Sequence, residues 1–442
     1  MRTVQIRSRS LAPACAALLL AVCNTLQAGT AHAQEPALTR TVPNEHASDR
    51  LALDAVVAEA LERHPSIEAA QKRYDAARQR PLQARSLPDP MVSAGYNSSG
   101  NPLPGAGLGR EPTANIGVMV RQTLPYPGKR DLQASMASRE ADADYQQIGA
   151  ASLTVVARVK QTYYRLAYTY AVRDVLARNR ALLDTLLQVS ESRYGVGQAA
   201  QQDVLKAQTQ LSILELQLER VQQERAARQG ELNILLGRGV STPLEQPDDL
   251  QLTSFESSLD AIVADATAHA PMLRRDQIMI ERSQLGVESA RKAYKPDFAI
   301  AGGYYYMGAM PAMYEVRFDV EVPLQRARRA AAVAEQVSGV AEARSSYESS
   351  RLDLIGRLQE DYSTASTSVR LARLYRDTVL PQARLALESS MTSYQTGTID
   401  FLSVLTNFGT VLDYEMTYFE ELASYHVAVS RLEEMTGTPI AH

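Results

Sequence analysis

The sequence contains no tryptophan and only two cysteines, and both cysteines lie near the amino terminus, at Cys15 and Cys23. The rest of the chain therefore has no disulfide framework and no cysteine-based metal or catalytic site. Lysine and arginine together number 46, against 50 aspartates and glutamates, so the formal charge is only -4. The basic excess that marks nucleic-acid binding is absent. We therefore expect no nucleic-acid partner.

Long apolar runs and catalytic patterns are lacking as well. After residue 33, no stretch approaches the roughly 18 consecutive apolar residues of a membrane-spanning helix, so a membrane role there must use strands or a surface helix. The histidines after residue 33 show no metal-ligand spacing, and no serine or threonine lies in a nucleophile elbow. We therefore predict that the chain is not an enzyme and uses no cofactor.

Residues 1–33 have the three parts of a secretory signal peptide. A basic start precedes a short apolar stretch over residues 11–22, and Ala-x-Ala at residues 31–33 is a cleavage site, so the mature chain is expected to begin at Gln34. A lipoprotein signal ending at Cys23 is the alternative, because the residues before it resemble a lipobox. Both alternatives predict export from the cytoplasm.

An internal duplication is the strongest positive signal. Residues 53–67 (LDAVVAEALERHPSI) match residues 259–273 (LDAIVADATAHAPML), and the turn 194–197 (YGVG) matches 394–397 (YQTG), at offsets of 206 and 200. Two unrelated amphipathic helices would not share turn prolines and glycines in the same order. The predicted divisions are the signal peptide (1–33), an N-terminal linker (34–50), a first repeat (51–250), a second repeat (251–437) and a C-terminal tail (438–442).

Each repeat has the same predicted parts: a short helix, a second helix that begins at a proline, two strands, a long helix, a glycine turn and a last helix. Apolar residues in the long helices recur alternately three and four apart, as at Val156, Val159 and Tyr163, which is coiled-coil spacing. The predicted helices are about residues 51–63, 65–86, 129–193 and 200–236 in the first repeat, and 259–269, 271–294, 326–393 and 400–435 in the second.

The strand-like stretches form two predicted β-hairpins, over residues 91–124 and 297–323. In the clearest stretch, residues 313–322, apolar side chains such as Val316 alternate with charged ones such as Arg317. An apolar outer face and a polar inner face fit a transmembrane barrel, whereas the alternative is a soluble sheet packed on a helix. Because a bilayer-spanning barrel needs at least about eight strands, one chain cannot close it alone, and we expect several chains to contribute.

Local motifs accompany this order of elements. They are LPDP at residues 87–90, QTLPYPGKR at 122–130, RYGVGQ at 193–198, DVLKAQ at 203–208 and ELNILLG at 231–237. Together with the duplication, they resemble the TolC-type outer-membrane efflux protein family over about residues 51–437. The resemblance implies a mainly α fold with transmembrane β: duplicated long α-helical hairpins plus two β-hairpins.

The resemblance also implies an assembly and a location. Three chains would form a homotrimer with one 12-stranded β-barrel in contact with outer-membrane lipid, continued by an α-helical barrel through the periplasm of a Gram-negative cell. Its expected partners are a periplasmic adaptor (membrane fusion) protein and, through it, an inner-membrane pump of the resistance-nodulation-division type. The implied function is that of the outer-membrane channel of a tripartite efflux system, which conducts substrate passively.

The helix–turn–helix tips, near residues 194–199 and 394–399, are the first candidate functional site. The resemblance implies that they close the resting pore and dock the adaptor. The candidate residues are Tyr194, Gly195, Gly197 and Asp203 in the first repeat, and Tyr394, Gly397 and Asp400 in the second. The resemblance implies a polar lock at Asp203. The usual constricting acids of the second repeat fall on Ser403 and Thr406 here, so Asp400 either substitutes for them or simply caps the last helix.

Three methionines, Met307, Met310 and Met313, form the second candidate site. They lie three residues apart in a predicted loop between two strands, and soft sulfur suits Cu(I) and, by the same argument, Ag(I). Apolar packing or an unoccupied surface loop is the alternative. This stretch and QTLPYPGKR resemble the heavy-metal branch of the family, which favours metal ions as the exported substrate.

Several other functions stay open at this point. The exported substrate can instead be drugs or a secreted polypeptide. A periplasmic coiled-coil adaptor protein would also be secreted, but it should show one helical hairpin flanked by lipoyl-like β segments. A secreted enzyme on a helical scaffold would need a catalytic constellation that the sequence does not show.

Overall fold

The structure is a computed structural model that describes residues 50–100, 102–253 and 257–440. The predicted signal peptide, its cleavage site, both cysteines and almost all of the predicted linker lie outside the described residues. The strands are β1 (Arg50–Leu51), β2 (Met91–Asn97), β3 (Asn115–Leu124), β4 (Gln246–Pro247), β5 (Asp297–Met307) and β6 (Met310–Glu321). The helices are α1 (Leu53–Arg63), α2 (Pro65–Ala77), α3 (Arg80–Arg85), α4 (Lys129–Gly195), α5 (Gln201–Leu235), α6 (Leu259–His269), α7 (Pro271–Lys292), α8 (Arg326–Leu374), α9 (Leu380–Gln395) and α10 (Phe401–Thr436).

The long helix α4 is the central element of the first repeat. It has 67 residues, which at a rise of about 1.5 Å per residue gives roughly 100 Å. Gly128 precedes it at φ 83°, a left-handed conformation in which glycine is favoured. No helix in the described ranges has both the length and the apolar character needed to cross a membrane.

Two predicted helices are interrupted near prolines, and both predictions were wrong in this respect. The helix expected over residues 65–86 is split at Arg78–Gln79, just before Pro81. The helix expected over residues 326–393 contains a π-helical turn, Tyr375–Val379, just before Pro381. A proline inside a helix removes one backbone donor and crowds the carbonyl four residues earlier, so a break or a widened turn relieves the strain.

The helices pack side by side around α4. The helix α4 contacts α2, α3 and α5, and it also contacts α7 and α10. Both α7 and α10 also contact α8, so α8 and α9 lie at the far side of the layer. The layer therefore has two different edges, one made by α2, α3 and α5 and the other by α8 and α9.

The duplication is visible in the packing. One core cluster includes Val56 and Ala60 of α1 and Leu232 of α5. Its counterpart includes Ile262 and Ala266 of α6, together with Leu432 of α10. The same repeat positions thus build the same local core twice, which supports the duplication predicted from the sequence.

Burial on α4 is wider than the predicted coiled-coil stripe. Val159 and Tyr163 are buried as expected, but Val155, Ala157 and Thr162 are buried too. Because α4 packs against several other helices, it buries more than one face.

The main sheet is antiparallel and has the strand order β2-β3-β5-β6. The two predicted hairpins are joined through the pairing of β3 with β5, so β2 and β6 are the outermost strands. A separate two-stranded parallel sheet pairs β1 with β4, through Arg50 and Gln246. The first residue of that sheet, Arg50, belongs to the segment that the sequence had assigned to the linker.

The two faces of the main sheet differ in polarity. One face exposes large apolar side chains, among them Tyr314 (76% exposed) and Val316 (87% exposed). The other face carries an ion pair of 2.9 Å between Arg317 and Asp319, which Arg121 joins from β3 at 3.4 Å. The alternation predicted from the sequence is therefore confirmed, with no helix packed over the apolar side in the described part of the chain.

Candidate functional site

The two helix–turn–helix tips have the same backbone geometry. Gly197 (φ 76°) and Gly397 (φ 81°) are left-handed, and each donates its N–H to the carbonyl of the tyrosine three residues earlier at 2.9 Å. The following residues, Gln198 and Thr398, donate to the carbonyls five residues before them at 2.8 and 2.9 Å. Glycine is required at these positions because a residue with a side chain rarely adopts this backbone conformation.

The tyrosines of the two tips, which the sequence treats as equivalent, have different environments. Tyr394 is only 3% exposed, its hydroxyl donates to Ser190 Oγ at 3.3 Å, and its ring lies 5.5 Å from that of Phe401. Tyr194 is 47% exposed. Tyr394 therefore belongs to the core, whereas Tyr194 faces outward from this chain.

Arg193 connects the two tips. Its guanidinium lies 4.8 Å from the ring centre of Tyr394 and donates to the backbone carbonyl of the same residue. It also donates to the Gln198 carbonyl at 3.4 Å, within its own tip. The sequence interpretation did not single out this residue, although the repeat offered a signal, because the equivalent position in the second repeat is Ser393.

The two candidate acids lie near the starts of the last helices. Asp400 caps α10, because its Oδ1 accepts from the Ser403 backbone N–H at 3.0 Å and from the Ser403 hydroxyl at 2.5 Å. The Ser403 hydroxyl contributes most to holding the pKa of Asp400 below its ordinary value. The capping role is thus confirmed. Asp203 lies in the first turn of α5, at the equivalent end of the first hairpin.

A buried polar cluster ties α4 to the second hairpin above the tips. Glu415 of α10 is 6% exposed and accepts from Asn179 of α4 at 3.1 Å and from the Arg384 guanidinium of α9. These groups border a cavity of about 390 Å³ between the three helices. Its apolar lining is Leu182, Leu387, Met391 and Val411.

The three candidate methionines are not in a loop, so that part of the prediction was wrong. Met307 ends β5, Met310 begins β6, and the two residues pair directly across a turn made only of Gly308 and Ala309. Gly308 has a φ of 75°, which permits so tight a turn. Met313 lies within β6, opposite Tyr305.

A comparison with known protein families identifies the family of this chain. The sequence pattern of the family described as outer membrane efflux protein matches residues 56–238 and 262–438, one segment in each repeat. The chain belongs to this family. Membership confirms the prediction of an efflux protein of the outer membrane rather than an enzyme, and the resemblance on which that prediction rests. It also overturns the alternative of a periplasmic adaptor.

Two relatives differ in how much of the chain they cover. The cobalt-zinc-cadmium resistance protein CzcC of Cupriavidus metallidurans is 21% identical over 416 residues, which are 92% of this chain and 95% of CzcC. The multidrug resistance outer membrane protein MdtP of Shigella flexneri is 23% identical over 188 residues. That match spans 42% of this chain and 38% of the length of MdtP.

Solved structures show the same fold. The outer membrane protein VceC of Vibrio cholerae superimposes with a TM-score of 0.75 at 18% identity, covering 88% of this chain and 96% of VceC. CusC gives a TM-score of 0.70 at 17% identity, covering 87% of this chain and 91% of CusC. The predicted fold class is thereby confirmed, since both structures match at least 87% of this chain.

Proposed function

We propose that three copies of this chain form one outer-membrane conduit that passively conducts heavy-metal ions to the outside. A periplasmic adaptor protein and an inner-membrane pump of the resistance-nodulation-division type would deliver the ions to its periplasmic end. The conduit itself needs no catalyst, because the pump supplies the driving force.

The sheet is the observation that carries this proposal. Its outermost strands, β2 and β6, have no further strand beside them in the described chain. Unpaired strand edges are not tolerated in the hydrocarbon of a bilayer, because each unsatisfied backbone group costs several kcal/mol there. Pairing β2 of one copy with β6 of the next satisfies both edges, and three copies give 12 strands with the exposed apolar face, including Val316, toward lipid.

The helical layer supports the same arrangement. Both of its edges expose large apolar side chains, Leu216 (62%) on α5 and Leu352 (61%) and Leu385 (65%) on α8 and α9. Because the two edges consist of different helices, copies must meet head to tail. Head-to-tail contacts form a closed ring when the rotation between copies closes.

Metal ions are favoured as the substrate by the extent of the CzcC match. CzcC covers 92% of this chain, whereas MdtP covers 42% of it. The second candidate is therefore a duct for drugs, supported by the shorter match to a multidrug resistance protein. Neither CzcC nor MdtP is named for the export of a polypeptide, the third substrate class that the sequence leaves open.

The tips form the gate in this proposal. Separating the α9–α10 hairpin from α4 and α5 requires Arg193 to leave the ring and carbonyl of Tyr394. Within the described part of the chain, the Nε of Arg193 is buried without a hydrogen-bond partner. A buried donor without a partner costs free energy, which weakens the contact between Arg193 and Tyr394 that holds the tips together. Docking of the adaptor can therefore displace this contact. Asp203 and Asp400, near the start of each last helix, would contribute carboxylates to this gate.

Planar-bilayer recording of the purified protein tests the conduit. The wild type should give small or rare openings, and Arg193→Ala should raise the conductance, because the link between the tips is lost. Arg63→Ala is the matched control, since Arg63 is an exposed arginine of α1 that lies away from the tips and pairs with Glu59 of the same helix at 2.9 Å, and it should behave as the wild type. If neither the wild type nor Arg193→Ala conducts, the proposed function is wrong. If Arg193→Ala and the control variant conduct alike, the assignment of the gate to the tips is wrong, while the proposed conduit stands.

A further inference from the structure

The β5–β6 hairpin contains a β-bulge next to its turn. Tyr305 pairs with Met313 and Met307 pairs with Met310, with a shift of register between the two pairs. One residue of β5 in this interval therefore lies opposite two residues of β6, which are residues 311 and 312. Residue 311 is a proline, which has no N–H for the ladder and occurs in sheets mainly at edges and bulges.

The bulge places all three methionines on one face of the sheet. Tyr305 and Met307 are two residues apart on β5, so their side chains point to the same side. Their cross-strand partners, Met313 and Met310, share that side. Without the bulge, the odd spacing between Met310 and Met313 would put these two side chains on opposite faces.

That shared face is the polar one. The hydroxyl of Tyr305 donates to the carboxylate of Glu315 at 2.8 Å. Tyr305 thus lies on the side that carries the charged residues of β6, opposite to exposed Val316 and Tyr314. The methionine thioethers accordingly face the interior of the conduit in the assembly proposed above, at the turn end of the hairpin.

The hairpin methionines differ from others in the chain in what surrounds them. Met391 and Met416 pack against the core cluster of α4, α5, α9 and α10. The three hairpin methionines belong to none of the core clusters identified among the described residues. Met307 and Met310 are half-buried, and Met313 is 43% exposed, so their sulfur atoms are not committed to a packed interior.

We infer that Met307, Met310 and Met313 form a thioether site for a soft monovalent metal ion of the Cu(I) or Ag(I) class. Directly opposed side chains have Cβ atoms roughly 5 Å apart, and a diagonal neighbour lies roughly 7–8 Å away. Methionine is long and unbranched, so three such side chains can converge on one ion. Soft sulfur ligands favour such ions over hard ones like Mg²⁺.

This inference deepens the proposed function, because it rests on the polar face lining the conduit and assigns a class of ion that would meet it. An ion leaving through the barrel would pass three copies of the site near the end of its path. Coordination by neutral thioethers involves no bond cleavage and no redox step, so the site can hold and release the ion unchanged.

Binding of Ag(I) alone to the purified, detergent-extracted oligomer tests the site. Isothermal titration should show a class of tight Ag(I) sites in the wild type. The triple variant Met307→Leu, Met310→Leu, Met313→Leu keeps side-chain volume, loses the thioethers and should lose this class. The matched control replaces Met136, Met272 and Met279 of the helices by leucine, and it should bind as the wild type.

A second variant tests whether the methionines must share one face of the sheet, with the number of sulfur atoms unchanged. Met313→Leu combined with Tyr314→Met moves one thioether to the opposite face of β6 and keeps the total constant. Its Ag(I) affinity should fall by about tenfold or more, since even supporting contacts change metal affinity by that order. Unchanged Ag(I) affinity in this variant would overturn the inference, and so would tight binding that remains in the triple leucine variant. An equal loss of tight Ag(I) binding in the helical control would overturn it as well.

Conductance of the same preparations separates the two proposals. Tight Ag(I) binding that depends on the hairpin methionines supports the site even if no channel is recorded, in which case only the proposed function fails. A conducting wild type that lacks the tight class of Ag(I) sites refutes the site and leaves the conduit standing.

Discussion

The last helices of the two repeats, α5 and α10, have nearly the same length, 35 and 36 residues, but very different burial. α10 lies between α4 and α8 and buries Val404 and Phe408 completely. α5 has α4 on one flank and leaves Ile213 (40%) and Leu216 (62%) exposed. Matching sequences thus produce matching helices, while burial depends on how many neighbours each helix has.

The difference indicates which edge of the helical layer the proposed assembly would cover. α5 occupies one edge of the layer, and the apolar residues on its open flank would be costly to leave in water. In a ring of copies, α8 and α9 of the next chain would cover α5 as α8 covers α10 within this chain. In the proposed ring, the first repeat would acquire on assembly the packing that the second repeat already has inside one chain.

The largest expected effect on fold stability comes from a substitution that leaves a cavity in the core beside α10. Phe408→Ala should destabilise the fold by about 3–5 kcal/mol, because Phe408 is fully buried and the substitution leaves a cavity. Leu216→Ala on α5 should leave the stability of the single chain nearly unchanged and weaken the oligomer instead. Thermal unfolding and the fraction of oligomer in detergent check the two expectations. Equal loss of fold stability in both variants would contradict the comparison.

A smaller effect is expected from two glutamates at equivalent repeat positions. Glu415 is buried and accepts from Asn179 and Arg384, whereas Glu215 forms a 3.1 Å pair with Arg180 in which both side chains are more than half exposed. Glu415→Gln should cost about 1–3 kcal/mol, because hydrogen bonds to a buried charged acceptor are weakened.

The control for this substitution is Glu215→Gln, which should cost no more than about 1 kcal/mol, because exposed ion pairs contribute little. Denaturant unfolding of both variants measures the difference. If Glu215→Gln proved the more damaging of the two, the assigned difference in burial between α5 and α10 would be incorrect.

Much of this fold follows from local sequence signals. The duplication, the strand alternation and glycines such as Gly197 and Gly397 fixed the order of elements and the position of both tips. The breaks before Pro81 and Pro381 were missed because the apolar period continues through them. A capping role for Asp400 is one that the sequence indicates, since an acid before a helix has a local partner three residues on.

Long-range contacts set the limit of what the sequence could predict. The link from Arg193 to Tyr394 joins residues 201 positions apart, and the sequence marks it only by the difference between Arg193 and Ser393 at equivalent repeat positions. The different exposure of Tyr194 and Tyr394 follows from which helix lies beside each tip. The β-bulge at Pro311 reverses the face expected for Met310 from simple alternation, so the shared face of the methionines emerges only from the strand register.

The smallest expected effect concerns the caps of the two last helices. The helix α10 follows Asp400, whose side chain caps it, whereas α5 follows Ala200, whose side chain offers no such bond. Asp400→Ala should lower thermal stability slightly, and Ala200→Asp should raise it slightly. The pKa of Asp400 is lower in the folded chain than its ordinary value of 3.8. Its contribution is therefore present above about pH 4 and is lost as the pH falls through the folded pKa.

Measuring both variants across this pH range provides the check. The difference between the wild type and Asp400→Ala should be constant at neutral pH and shrink once Asp400 is protonated in the folded state. A difference that instead grew on acidification would contradict the cap as the cause.

The mass of the detergent-extracted mature protein, measured by native mass spectrometry, tests the central claim most directly. That claim is that β2 and α5 at one edge, and β6 and α8 at the other, are completed by further copies of the chain. The account predicts a species of three chains that dissociates only when the detergent is made denaturing. A stable single chain that stays soluble without detergent would contradict it.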